Sequence, residues 1–102
     1  MKNKNVLKRI IEHIGEHKKI LEERYKVKNI YIFGSIARGD FSSKSDIDVL
    51  VDFSSSDIGL FQFVELKEYL EFIVGRKIDL VTREALSDWM KEEVEKDSIR
   101  VA

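Results

Sequence analysis

The sequence predicts an α+β domain: a small sheet flanked by helices, in the order α-β-α-β-α-β-α. Three observations lead there. Apolar runs suited to strands recur at Ile30 to Phe33, within SDIDVLVDF (Ser45 to Phe53), and at KIDLV (Lys77 to Val81). The segments around them space their apolar residues as helices do. The 102 residues contain no cysteine and no proline, which suits one domain over residues 1–102 with no disulfide framework. A chain of this length buries roughly 65% of its unfolded surface, enough for one core.

From Asn5 to about Tyr25, the residues Val6, Leu7, Ile10, Ile11, Ile14, Leu21 and Tyr25 give one long amphipathic helix, with Asn3 or Asn5 as a cap. Gly15 weakens it by about 1 kcal/mol relative to Ala. His13 and His17 have the spacing of two metal ligands on one turn, but they lie among Glu12, Glu16, Lys18 and Lys19 and read as a solvated face. After the first strand, Gly34 and Ser35 form a corner, Ile36 to Arg38 a short helical turn closed by Gly39, and Phe41 to Ser45 a polar loop. Gly34 to Gly39 has the spacing of a phosphate loop, yet Asp40 and Phe41 stand where Lys and Ser or Thr are needed, so a Walker motif is rejected.

Ser54 to Asp57 make a turn. The helix that follows, Ile58 to Val74, is apolar over most of its circumference, so it is either deeply buried or meets another protein. Gly75 ends it. In the third strand Ile78 and Leu80 take one face and Asp79 the other, and Leu86 to Ile99 reads as a last helix.

The chemistry gathers at the first two strands. Gly34 lets a ligand approach the backbone, and a helix start after it collects free N–H groups, so Gly34 and Ser35 suit phosphate. Strand alternation sends Asp46 and Asp48 to one face and Ile47, Val49 and Val51 to the other. With Asp79, three carboxylates can converge on one side of the sheet, a costly cluster without a cation. All-oxygen ligands select a hard ion, Mg²⁺ where phosphate completes the shell, and two ions suit nucleotidyl transfer from a triphosphate. Arg38, Lys44 and Ser45 are candidate phosphate contacts. Asp52 shares the face of Asp46 and Asp48 but lies farther along and reads as a solubility residue; Arg76 and Lys77 fit either acidic residues or phosphate.

Gly34-Ser35, then Asp46-x-Asp48, then Asp79 in a later strand resembles the signature of the DNA polymerase beta superfamily of nucleotidyltransferases. The string GSIARGDFSSKSDIDVLVDF is particularly similar to the minimal nucleotidyltransferase (MNT) family, the MntA-like antitoxins paired with HEPN-domain ribonuclease toxins, and the likeness covers nearly the whole chain. It implies the polymerase beta-like fold with a small mixed sheet. It also implies phosphate binding by Gly34 and Ser35, metal binding by Asp46 and Asp48, and a third ligand and activating carboxylate in Asp79. The activity implied is transfer of AMP from ATP to a tyrosine hydroxyl of the cognate HEPN toxin. Two other functions compete: an antitoxin that neutralises its partner by stoichiometric binding, and a nucleotidyltransferase with a small-molecule acceptor.

Eighteen Lys and Arg against 19 Asp and Glu leave a net charge of −1, which argues against long RNA or DNA held through its backbone. No apolar run is long enough to span a membrane, and MKNKNVLKRI is too polar for a signal peptide, so a cytoplasmic protein is expected.

Overall fold

In the computed structural model, which describes residues 2–40, 42 and 44–102 and side chains from Val6 onward, the expected strands are β1 (Val27–Phe33), β2 (Ile47–Phe53) and β3 (Ile78–Val81). They are joined by a short β4 (Ile99–Arg100), giving the order β3-β2-β1-β4. β1 runs antiparallel to β2 and β4, and β2 parallel to β3, so the sheet is mixed, as expected. Of the expected polar loop, Phe41 and Ser43 lie outside the described residues.

The single long N-terminal helix is corrected to two, α1 (Lys2–Glu16) and α2 (Lys18–Tyr25). His17 makes the break. Its N–H donates to Ile14 O at 3.1 Å, and its ring Nδ1 takes the His13 carbonyl at 2.8 Å, where an unbroken helix would use the His17 backbone N–H. Gly15 beside it lowers the cost of the irregularity. The helix already runs at Lys2, ahead of Asn3 and Asn5, so neither asparagine is its cap.

Alternation along the strands divides the core. Ile30, Ile32, Ile47, Val49, Val51, Ile78 and Leu80 meet Ile10, Ile14 and Leu21 from α1 and α2. They also meet Leu66 and Leu70 of α4 (Leu60–Val74), which starts two residues later than expected, after Gly59 donates its N–H to Gln62 Oε1 at 3.0 Å. On the opposite face, Phe33 and Leu50 pack against Val94 of α5 (Asp88–Asp97). The last element is corrected as well: a 3₁₀ turn (Arg83–Ala85) precedes α5, and Ile99 leaves the helix to pair with Ile32. β-branched Ile99 and Val101 suit an edge strand, and Val101 N–H and Ile30 O close the pairing at 2.8 Å. Among the described residues no helix is long and apolar enough to cross a membrane.

Candidate active site

β1 and β2 are antiparallel, so the end of one meets the beginning of the other. Phe33 pairs with Asp48, and the chain then turns at Gly34 into α3 (Gly34–Arg38) with φ +74°. A Cβ on Gly34 would run into the Asp48 carboxylate; the absent side chain is what lets Asp48 stand against this corner. On its other side Asp48 is in register with Asp79 of β3. Asp46 precedes β2 by one residue and, by strand alternation, shares the face of Asp48. Asp48 is half-buried; Asp46 and Asp79 are exposed.

The electrostatics follow from this crowding. Burial first, then the charges of Asp79, Glu93 and Asp46, push the Asp48 carboxyl up to about 6 against the opposing pull of Arg38. Glu93, a contributor missed by sequence reasoning, comes from α5, which closes over this face of the sheet. Its i,i+4 relation to Asp97 puts both acids on one helical face, but only the packing of α5 reveals what that face meets.

Arg38, expected at the phosphates, is engaged elsewhere. It donates to Asp40 at 3.2 Å and to Glu93 at 2.9 Å, and stands 3.6 Å from Asp97, so it fastens α3 to α5. Lys44 and Ser45 lie in the loop ahead of β2, where Ser45 Oγ accepts the Ser42 N–H at 3.0 Å and Ser42 Oγ the Lys44 N–H at 3.3 Å. Together with Asp46, Gly75, Arg76 and Lys77 they line a hollow of about 190 Å³ with a basic rim. Arg76 donates to Ser42 O at 3.3 Å, bracing that loop. Ser35 is half-buried at the start of α3, and its carbonyl accepts the N–H groups of Gly39 and Asp40.

Asp52 is corrected from a solubility residue to an anchor. It takes two hydrogen bonds from Arg83, at 2.8 and 3.1 Å, and one from Asn29 at 3.2 Å. His17 Nδ1 bonds the His13 carbonyl at 2.8 Å, and the His17 ring meets the Tyr69 ring edge-on. A larger hollow of about 680 Å³ opens at the far ends of β2 and β3, lined by Asp52, Phe53, Ile58, Phe63 and Thr82 among others, away from the carboxylates.

Asp46, Asp48 and Asp79 are thus aligned along one strand end, but among the described residues no three acidic or imidazole groups stand close enough to form a metal shell by themselves. The donor set is nevertheless suited to a hard cation. It is all oxygen, and its central member carries repulsion that a cation would relieve.

A mixed sheet flanked by helices, with a carboxylate against a glycine corner, is the arrangement that the resemblance to nucleotidyltransferases implies. Residues 14–102 match the family model described as "Nucleotidyltransferase domain", and the chain belongs to that family. A Methanocaldococcus jannaschii protein named "Putative protein adenylyltransferase" is 44% identical over 97 residues, covering 93% of this chain and 97% of its own. The protein adenylyltransferase MntA of Thermococcus cleftensis is 39% identical over 95 residues, covering 93% of this chain and 95% of its own. A crystal structure described as a toxin-antitoxin with AMP-PNP shares the fold, with a TM-score of 0.68 over 88% of this chain and 72% of that one at 23% identity.

Proposed function

We propose that this nucleotidyltransferase is a cytoplasmic antitoxin that transfers AMP from ATP to a tyrosine hydroxyl of a helical HEPN-type toxin. The observation that carries the reading is the register of Phe33, Asp48 and Asp79, with the Asp48 carboxylate against the Gly34 corner and Asp79 in register on its other side. The name of the Thermococcus relative supports a protein acceptor, and the AMP-PNP complex of the similar toxin-antitoxin chain supports an adenine nucleotide.

In this reading Gly34 and Ser35 admit the phosphates, with Lys44, Ser45 and Arg38 along the polyphosphate; Arg38 exchanges its present carboxylates for phosphate oxygens. Asp46, Asp48 and Asp79, together with phosphate oxygens, would hold Mg²⁺. When bound, Mg²⁺ would neutralise charge on the triphosphate and lower the pKa of the acceptor hydroxyl. The acceptor oxygen bonds the α-phosphorus as the bond to pyrophosphate breaks, and Asp79 takes the hydroxyl proton.

Incubation with labelled ATP, Mg²⁺ and a cognate HEPN-type toxin should label that toxin, and an Asp46→Asn/Asp48→Asn variant should not. Equal labelling by the variant removes these carboxylates from the chemistry. A second reading, inhibition by binding alone, is favoured by the exposed aromatics of α4, Phe61 and Phe72. It predicts full inhibition of the toxin by the same variant at stoichiometric amounts, whereas the enzyme inhibits substoichiometrically.

A further inference from the structure

α4 buries Leu66 and Leu70 against the sheet and turns its opposite side to solvent. On that side Phe61 is 85% and Phe72 83% exposed, with Leu60 at 75% and Val64 at 40%. Positions 61, 65, 68 and 72 fall on one helical face, so the stripe reads Phe61, Glu65, Glu68, Phe72, and both glutamates are exposed. Its two aromatic ends are about 16 Å apart, three turns of helix. Lys67, the lysine on the same helix, is drawn aside to Glu71 at 3.3 Å and leaves the stripe acidic. Leu60, Phe61 and Val64 adjoin on the helix, and contiguous exposed apolar surface of this kind marks an interaction site.

We infer that the outer face of α4 docks an amphipathic helix of another protein, one that presents apolar residues to Phe61 and Phe72 and arginine or lysine to Glu65 and Glu68. Charge decides among the occupants. A second copy packed through a twofold axis would lay Phe61 on Phe72 of the other copy, but it would also set Glu65 against Glu68 twice over, and like charges at such a contact repel. An anionic bilayer is disfavoured by the same two glutamates. A basic helix satisfies both the aromatic ends and the acidic middle, in the helix-in-groove manner of recognition. The inference deepens the proposed function and rests on it for the helical shape of the occupant.

The test uses the full chain and a synthetic helical peptide with leucines eleven positions apart and arginines at the fourth and seventh positions between them. A second peptide has glutamate in place of arginine. By fluorescence anisotropy the basic peptide should bind at least about tenfold more tightly than the acidic one. Phe61→Ser/Phe72→Ser should weaken it at least about tenfold, and Glu65→Lys/Glu68→Lys should reverse the preference. Both variants alter exposed side chains, and unchanged circular dichroism checks that they fold. Equal binding of the two peptides, no binding of the basic one, or binding that survives Phe61→Ser/Phe72→Ser overturns the proposal. So does a wild-type dimer in sedimentation that the same variant makes monomeric, since the occupant is then a second copy. No nucleotide is needed for this binding. Labelling of the toxin without peptide binding therefore counts against the surface alone, and peptide binding without labelling counts against transfer alone.

Discussion

Asp48 has little room: its carboxylate stands against Gly34, where β1 gives way to α3, and beside Asp79 of β3. Gly34→Ala therefore meets two obstacles, a left-handed φ of +74° and a Cβ that collides with that carboxylate. The expected cost is about 1–3 kcal/mol, with nucleotidyl transfer reduced beyond the loss of folded protein because Asp48 must move. Urea unfolding together with an activity assay checks both, and unchanged values would mean that Asp48 does not depend on the corner. The pH dependence follows from the same crowding. The folded carboxyl is raised to about 6 from 3.8, so between those values the folded state holds the proton and the unfolded state has lost it. Stability is thus eroded as pH rises through this window, the opposite of the usual aspartate. Asp48→Asn should stabilise the protein at pH 7 by about 1 kcal/mol, discounted for solvent at a half-buried group, and the gain should vanish near pH 4. A gain equal at both pH values would exclude ionisation of the buried Asp48 carboxyl among its acidic neighbours as its cause. The residues concerned were legible in sequence, because the two-residue period of a strand fixes which face Asp46 and Asp48 share. Glu93 was not, because nothing in its own helix says which strand the helix will cover.

The break at His17 shows how an element can be predicted correctly in type and wrongly in length. Periodicity carries across residues 6 to 25 because both helices bury the same side, and it is blind to a side chain that takes over one carbonyl. Gly15 lies inside α1 with nothing within 4 Å of where a Cβ would stand. Gly15→Ala should accordingly stabilise the protein by about 0.5–1 kcal/mol, and a loss of stability in thermal melts would show that α1 needs glycine to bend. The 3₁₀ turn is fixed by different means. Burial draws the Asp52 carboxyl up, but hydrogen bonds from Arg83 and Asn29 outweigh it and leave it below its ordinary value. Its contribution is present above the unfolded pKa and is lost as pH falls through the depressed folded one. Asp52→Ala should cost about 1 kcal/mol at pH 7 and less in acid, measured by urea unfolding at both pH values. An exposed alternation position in the sequence gives no hint of Arg83, which lies in another segment.

Taken together, the sheet places its closing edge, β4, on the side away from the proposed site on β2 and β3. Asp48 and Asp79 sit on β2 and β3, while β4 closes the opposite edge beside β1. β4 was the element sequence could not supply: two residues are too few for a periodic signal, and their strand character comes from the open edge of β1. Without β4, the apolar β1 would present Ile30, Tyr31 and Ile32 along an unpaired backbone, a template for aggregation. Ending the chain at Ser98 removes the pairing of Tyr31 with Arg100 and Ile32 with Ile99, together with the bonds between Ile30 and residues Val101 and Ala102. The expected loss is on the order of 2 kcal/mol, a fall in Tm of roughly 10 °C, with concentration-dependent association. Transfer measured well below the new Tm and scaled to folded monomer should be unchanged, because β4 pairs with Tyr31 and Ile32 of β1 while Asp48 and Asp79 stand on β2 and β3. A truncated chain that melts like the full one would show that the edge is not held by this pairing, and one that stays folded but loses transfer would put β4 within reach of the chemistry.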